Sequence, residues 1–136
     1  GIVTEAFTFP MRVYWEDTDA GGVVYYAGYL RFMERARSEW LRARGIDQAL
    51  LARDERLQFA GVEAHIRYHR PARFDDLLSV SVRVTEHGGA SVVMAQEIRQ
   101  GAPDGELLVS ATIRAACLDS DGLRPRPLPP ALAAQL

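Results

Sequence analysis

Two aspartates separated by one residue, Asp17 and Asp19, are the carboxylates of this sequence best placed for acid–base or nucleophilic chemistry. They lie in the run Glu16–Gly22, whose acceptor side chains and glycines are typical of a turn. Turn aspartates commonly accept hydrogen bonds from backbone amides, so one interpretation of both residues is structural. The other is that one carboxylate stays available to a substrate, and the residue types leave both open.

The segment after this turn predicts a helix whose first amides have no side-chain cap. No Ser, Thr, Asp or Asn occupies positions 23–28, where a capping side chain is expected. The helix dipole makes such amides favour a negatively charged oxygen. Uncapped amides near Gly28 therefore indicate an oxyanion-binding site, although glycine is also a tolerable helix start with no further role.

One long helix must position these groups. Apolar residues recur at helical spacing from about Gly28 to Arg44, and polar residues fill the other faces. Gly45 predicts the end of the helix, because glycine adopts the left-handed conformation that closes a last turn. A second, shorter helical stretch is expected over residues 47–53.

The rest of the chain predicts strands. Alternating apolar residues indicate a first strand at Phe7–Trp15, a long strand over 57–68 that changes phase at Gly61, a hairpin about His87–Gly89, and a final strand over 107–117. We therefore predict an α+β fold in which a five-stranded, mostly antiparallel sheet wraps around one long central helix. The proline-rich tail, Arg124–Pro130, is expected to lie over the surface.

Composition excludes several classes of protein. With 136 residues, 48% hydrophobic and 25% charged, the chain is expected to form a single globular domain over 1–136. A single cysteine, Cys117, and the lack of zinc-spaced Cys/His clusters favour a metal-free protein of the cytoplasm. The net charge of −2 argues against nucleic-acid binding. We also expect neither a signal peptide nor a spanning helix.

The run Asp17–Tyr29, continued by Phe32–Arg37, resembles the 4-hydroxybenzoyl-CoA thioesterase family of hot-dog proteins, and most closely its Tol-Pal-associated acyl-CoA thioesterases. Residues 70–76 and 124–129 extend the resemblance over nearly the whole chain. The resemblance implies a hot-dog fold and hydrolysis of an acyl-CoA. It also implies that Asp19 attacks the thioester or activates water, and that an amide near Tyr26 polarises the carbonyl.

The same resemblance sets expectations for the rest of the site and for partners. Tyr26 is assigned to catalysis, and the amides of Tyr26, Ala27 and Gly28 are assigned to substrate positioning. No metal and no cofactor are expected, since coenzyme A is part of the substrate. We expect a homotetramer built as a dimer of dimers, with peripheral association at the inner membrane or with acyl-carrier proteins.

Two departures from the family pattern affect the chemistry. The Tol-Pal-associated group often has a histidine where this chain has Tyr26, and a phenol cannot replace imidazole as a base near neutral pH. The His87–Gly89 turn lacks the basic residues that relatives place near the CoA phosphates. Arg67, Arg70 and Arg73 are candidate replacements, because guanidinium groups bind phosphates well, but pairing with nearby acidic residues is an equal alternative.

Weaker candidates and rival functions remain open. His65 and Glu34 could face the pocket, but a strand histidine is usually structural and Glu34 lies among helix arginines. A hot-dog dehydratase would need a histidine base, which Tyr26 speaks against. The remaining alternative is a non-catalytic subunit that binds acyl-CoA or acyl-carrier protein, or an adaptor that keeps the fold without the activity.

Overall fold

The computed structural model describes residues 6–136, in which five strands form one sheet. The strands are β1 (Phe7–Arg12), β2 (Leu57–Tyr68), β3 (Leu77–His87), β4 (Ser91–Gln100) and β5 (Leu107–Asp119). The helices are α1 (Tyr29–Ala43), α2 (Gln48–Leu50) and α3 (Pro130–Ala133). The strand order is β1-β3-β4-β5-β2, and all neighbouring strands run antiparallel.

Helix α1 packs across one face of this sheet. Its buried side chains are Tyr29, Phe32, Met33, Ala36, Trp40 and Leu41. They share the core with alternate residues of β3, from Leu78 to Val84. Because side chains alternate along a strand, the residues between these point to the opposite, outer face of the sheet. The predicted α+β hot-dog arrangement, a five-stranded sheet with one long helix, is confirmed.

The end of α1 follows the predicted glycine stop. Gly45 has a φ of +79° and donates to the Arg42 carbonyl at 3.0 Å, and Ile46 donates to the Leu41 carbonyl at 3.0 Å. These two bonds form a Schellman motif, in which a left-handed residue closes the last turn. Ile46 is buried, so the chain folds back onto the core immediately after the helix.

The predicted bulge and hairpin are also present. The pairing of β2 with β5 shifts register between Gly61 and Glu63, which is where the alternation in sequence changes phase. Strands β3 and β4 pair directly through the turn at Gly88. The bulge lies opposite α1 and, as shown below, borders a groove between β2 and the helix.

Three segments differ from expectation. β1 ends at Arg12 rather than Trp15, because Val13 leaves the sheet and exchanges backbone hydrogen bonds with Asp75 and Asp76 at 2.9 Å each. The second helical stretch begins at Gln48 and continues as a wide turn to Glu55. The C-terminal tail does not lie only on the surface, since Leu128 and Leu132 are buried in the core. Within residues 6–136, no helix is both long and apolar enough to cross a membrane.

A buried polar group joins α1 to the sheet. Gln96 of β4 is fully buried and donates to the carbonyls of Met33 and Ser81 at 3.1 and 3.2 Å. Its side-chain oxygen accepts a hydrogen bond from Arg37 at 2.9 Å. Burial lowers the pKa of the Arg37 guanidinium, and the nearby Glu34 charge opposes this shift. The network therefore fixes both the rotation of α1 and the position of a half-buried cation.

Candidate active site

The turn that carries Asp19 is held by its own backbone. The Asp19 amide donates to the Val23 carbonyl at 2.9 Å, and the Gly22 amide donates to the Asp19 carbonyl at 3.0 Å. Gly22 has a φ of +76°, a conformation that favours glycine. Asp17 has a different role, because its carboxylate accepts the Tyr14 amide at 2.8 Å. The turn is thus closed on both sides of Asp19.

A second segment, Arg70–Asp76, supports the turn from outside. The Val24 amide donates to the Ala72 carbonyl at 2.9 Å, and the Phe74 amide donates to the Gly22 carbonyl at 3.0 Å. The ring of Phe74 stacks on that of Trp15 with centroids 3.6 Å apart. These contacts give the segment a physical role: it is the scaffold of the turn that presents Asp19.

The two oxygens of the Asp19 carboxylate differ in their hydrogen bonding. One oxygen accepts the Gly21 amide at 2.8 Å, and the side chain is exposed. In the part of the chain that the structure describes, the second oxygen has no hydrogen-bond partner. Asp19 can therefore have both a structural role and a role toward a substrate. One oxygen fixes the rotamer, and the exposed side chain leaves the other oxygen available.

Asp19 and the start of the helix line one cleft of about 360 Å³. Its lining includes Asp19, Tyr25, Ala27, Gly28 and Arg31. The cleft is open to solvent and large enough for a thioester group with its flanking atoms. The carboxylate and the helix-start backbone, predicted separately from sequence, thus face the same space.

The amides at the helix start are not equivalent. A short 3₁₀ turn, Tyr26–Gly28, precedes α1, and neither element has a side-chain cap, as predicted. The Gly28 amide donates to the Tyr25 carbonyl at 2.7 Å, so it is already engaged. Within residues 6–136 the Tyr26 and Ala27 amides donate to no carbonyl or side chain. These two amides are therefore the candidate oxyanion donors, and of the two residues Ala27 lines the Asp19 cleft whereas Tyr26 does not.

Gly28 owes its identity to packing. A methyl group at this position would lie 3.3 Å from a side-chain carbon of Val24, which is buried. Its φ of −65° is open to any residue. Glycine therefore avoids a tight contact with Val24, and its amide supports the turn through the bond to the Tyr25 carbonyl.

The Tyr26 phenol lies away from Asp19. Its ring lines a different cleft of about 300 Å³ together with Tyr29, Tyr68 and Arg70. Tyr25, not Tyr26, lines the cleft that contains Asp19. The neighbouring Tyr26 side chain raises the pKa of the Tyr25 phenol. The geometry therefore places the Tyr26 side chain outside the Asp19 cleft, and Ala27 is the residue lining this cleft whose amide has no protein acceptor within residues 6–136.

Sequence reasoning missed Tyr29 and Arg31 as parts of the site. Tyr29 is buried, and its hydroxyl accepts the Ala72 amide at 3.0 Å, which ties α1 to the scaffold segment. Burial raises the pKa of this phenol. Arg31 lines the Asp19 cleft and has no carboxylate within 4.0 Å in residues 6–136. Its spacing of three residues from Gly28 is the signal that could have identified it.

The three candidate CoA arginines do not converge. Arg67 pairs across the sheet with Ser110 and lines a depression on the outer face, opposite α1. Arg70 lines the tyrosine cleft and pairs with Glu106 at 3.3 Å. Arg73 is exposed beside the turn, where its backbone pairs with Val23. None of the three lines the Asp19 cleft, but Arg70 and Arg73 belong to the segment that supports its turn.

A groove continues from the Asp19 cleft along α1. Arg31 lines both the cleft and this groove, which runs between α1 and the bulge of β2 and has a volume of about 520 Å³. Glu34, Arg37 and Gly61 line both the groove and a smaller cavity of about 80 Å³. The cavity is mostly apolar, with Trp40 and Phe59 among its walls.

Comparison with known proteins identifies the family. Residues 13–136 match the thioesterase-like superfamily. The acyl-CoA thioester hydrolase YbgC of Escherichia coli O6:H1 is 42% identical over 133 residues, covering 97% of this chain and 96% of the relative. The acyl-CoA thioesterase YbgC of Haemophilus influenzae is 41% identical over 128 residues, covering 94% and 92%.

A solved structure agrees with these relatives. The crystal structure of a probable thioesterase from Bartonella henselae is 40% identical, covers 92% of this chain and all of that one, and superposes with a TM-score of 0.85. The resemblance inferred from the turn and helix motifs is thereby confirmed. The chain belongs to the thioesterase-like superfamily.

Proposed function

We propose that this protein hydrolyses acyl-CoA thioesters to a free acid and coenzyme A, with Asp19 as the catalytic carboxylate. The observation that carries the proposal is the shared cleft of Asp19 and the Ala27 backbone at the start of α1. The YbgC relatives, which carry the name of this activity at 41–42% identity, support it.

The chemistry needs few groups. The thioester carbonyl binds with its oxygen at the Tyr26 and Ala27 amides, which stabilise the charge that develops on it. The free oxygen of Asp19 then either attacks the carbonyl carbon, forming an anhydride that water cleaves, or takes a proton from an attacking water. The C–S bond breaks to release a thiolate, a good leaving group because thiol pKa values lie near 8.5. These steps require no metal and no cofactor beyond the coenzyme A of the substrate.

The two roles of Asp19 make different predictions for oxygen transfer. In a single turnover in ¹⁸O-water, a nucleophilic Asp19 gives its own oxygen to the acid and retains the label when water attacks the Asp19 carbon of the anhydride, so label in the protein identifies the nucleophile. A general base leaves the label in the product acid. Mass spectrometry of the protein and of the acid after one turnover separates the two.

The groove along α1 is our proposed acyl path. From the Asp19 cleft the acyl group would pass Leu30 and Val62 and end against the apolar cavity near Trp40. The CoA portion would then lie on the solvent side of the cleft. Arg31, Arg70 and Arg73 are the proposed phosphate contacts, whereas the position of Arg67 on the outer face argues against a role for it.

Assembly and location are proposals as well. The edge strand β2 pairs only with β5 among the described strands, and it exposes Val62 and Tyr68. An unpaired edge of this length favours association with a second copy. We propose a homotetramer built as a dimer of dimers in the cytoplasm. Peripheral association with Tol-Pal or acyl-carrier proteins at the inner membrane is part of the same proposal.

A non-catalytic acyl-CoA-binding or adaptor role is the second candidate. It is favoured by one observation: no histidine lines the Asp19 cleft in the described part of the chain. A protein of this kind would bind acyl-CoA at the same cleft without releasing thiol.

Thiol release from a panel of acyl-CoAs tests both. Wild type should release CoA, and Asp19→Asn should lower kcat by about 10²–10⁴-fold, the range for loss of a general base. Asp104→Asn, an exposed loop change, is the matched control. Equal rates for wild type and Asp19→Asn would remove Asp19 from the mechanism. Tight binding without thiol release by wild type would establish the binding role instead.

A further inference from the structure

Tyr68 connects the end of β2 to the helix start. Its hydroxyl donates to the Tyr26 carbonyl at 2.9 Å, although the two residues are 42 positions apart. Tyr68 is the last residue of β2, and Tyr26 opens the 3₁₀ turn before α1. The contact therefore joins the sheet to the residue that precedes Ala27, which lines the Asp19 cleft.

This bond falls on the peptide of a candidate oxyanion donor. The Tyr26 carbonyl and the Ala27 amide belong to one planar peptide group. The preceding peptide, which joins the Tyr25 carbonyl to the Tyr26 N–H, has the same arrangement. Its carbonyl accepts a hydrogen bond from the Gly28 amide at 2.7 Å. A hydrogen bond accepted by a peptide carbonyl polarises the group and strengthens its N–H as a donor. Both candidate donors thus have a carbonyl that is already hydrogen-bonded.

The surroundings hold the Tyr68 ring in place. It packs against the Tyr29 ring at 5.7 Å and edge-on against the Tyr26 ring at 6.5 Å. Tyr29 is itself buried and hydrogen-bonded to the Ala72 amide. Tyr68, however, is half exposed, so its hydroxyl could bond to water if stability were its only purpose.

We propose that Tyr68 is a positioning residue for the oxyanion donors: its hydroxyl orients and polarises the Tyr26–Ala27 peptide, whose N–H receives the thioester oxygen. The inference rests on the proposed hydrolysis at Asp19. The charge on that oxygen is larger in the transition state than in the substrate, so the effect falls mainly on kcat.

Tyr68→Phe tests the proposal. We expect kcat to fall about tenfold, less than the 10²–10³-fold lost when an oxyanion donor is removed outright. KM should change much less than kcat. Tyr14→Phe, which removes an exposed phenol elsewhere, is the matched control and should behave as wild type. Unchanged kcat in a folded Tyr68→Phe protein would overturn the proposal.

A spectroscopic readout separates positioning from simple support of the fold. In an Asp19→Asn background, the infrared stretch of a ¹³C-labelled thioester carbonyl reports the strength of its hydrogen bonds. Adding Tyr68→Phe should raise the frequency of this stretch, toward its value in a solvent that donates no hydrogen bonds. An identical stretch in both proteins would count against a role for Tyr68 at the carbonyl.

A fluorinated tyrosine at position 68 keeps the fold while it changes the donor. Its phenol ionises at lower pH, so kcat should fall in a new alkaline limb as the donor proton is lost. Absence of that limb in an active enzyme would overturn the proposal even if Tyr68→Phe failed to fold. Failure of wild type to release thiol would instead overturn the proposed hydrolysis, and with it the role given to Tyr68.

Discussion

Asp17 and Asp19 are one residue apart, yet their carboxylates bond to opposite sides of the turn: Asp17 accepts the Tyr14 amide before it, and Asp19 accepts the Gly21 amide after it. The first bond closes a helical turn at Trp15–Asp17. The second fixes the rotamer of a side chain whose other oxygen has no hydrogen-bond partner within residues 6–136. Under the proposed mechanism, these two identical side chains therefore have separate structural and chemical roles.

This separation predicts two different phenotypes. Asp17→Ala should lower the free energy of unfolding by about 1 kcal/mol, since a turn amide loses its acceptor. Asp19→Asn should leave the free energy of unfolding nearly unchanged, because the amide oxygen can still accept the Gly21 N–H. Its rate of thiol release should nevertheless fall strongly. Urea unfolding and CoA release, measured on the same preparations, compare the two. Asp17→Asn should retain more activity than Asp19→Asn; the reverse order would exchange the roles assigned here.

The buried amide of Gln96 predicts a large cost of substitution. Gln96→Leu removes the donor to the Met33 and Ser81 carbonyls and leaves Arg37 without its hydrogen-bond partner. We expect the free energy of unfolding to fall by about 2–3 kcal/mol, the range for stranding buried polar groups. Gln58→Leu, on an exposed position of β2, should change it by less than about 0.5 kcal/mol. Equal effects in urea titrations would contradict the role of this network.

The sequence predicted most elements because local signals and the fold agree. The stripe of α1, the stop at Gly45, the bulge at Gly61 and the β3–β4 hairpin each follow from periodicity or glycine placement. The strand order did not follow, since nothing local shows that β2 crosses to the far edge beside β5. Likewise β1 was predicted too long, because Val13 pairs with Asp75 and Asp76, which are distant in sequence, and a 3₁₀ turn begins at Trp15.

The candidate site was predictable only in part. An uncapped helix start and a turn aspartate are visible in sequence, and both face the cleft. Side-chain direction was not visible: Tyr26 turns toward Tyr68, and Arg67 lies on the outer face. The engaged amide of Gly28 depends on a 3₁₀ turn that no residue type required. Such details arise from tertiary packing, which a pattern of residue types does not contain.

The groove beside the β2 bulge predicts a change in acyl-chain preference. Gly61 lines both the groove and the apolar cavity, and an added methyl would lie 3.8 Å from Arg37, an ordinary contact. Gly61→Val, whose Cβ fits this space, should narrow the passage. We expect kcat/KM for long acyl-CoAs to fall about tenfold or more relative to short ones.

The control for this change lies on the other side of the sheet. Ala116 of β5 alternates with the buried Ala115 and Cys117, so Ala116→Val adds two carbons to the outer face, one fewer than Gly61→Val adds to the groove. Its chain-length profile should match that of wild type. If Gly61→Val also kept the wild-type profile, the acyl group would have to lie outside this groove.

The buried phenol of Tyr29 predicts a loss of stability at alkaline pH. Burial raises its pKa above the ordinary 10.0, so the folded protein keeps this proton over a range where the unfolded chain has released it. The folded state then binds more protons, and the free energy of unfolding decreases as pH rises. The contribution is complete below about pH 9 and is lost progressively above pH 10. Urea titrations between pH 8 and pH 11 measure this loss as the slope of the free energy of unfolding against pH.

Tyr29→Phe separates this effect from general alkaline damage. The variant should be less stable at neutral pH, because the Ala72 amide loses its acceptor at a cost of about 1–3 kcal/mol. Its decline above pH 10 should nevertheless be shallower than that of wild type, since the phenol that ionises on unfolding is gone. Tyr14→Phe, which removes an exposed phenol, should keep the wild-type slope. A Tyr29→Phe curve parallel to wild type would mean that the alkaline loss arises elsewhere, and that burial of Tyr29 is not what couples the helix start to pH.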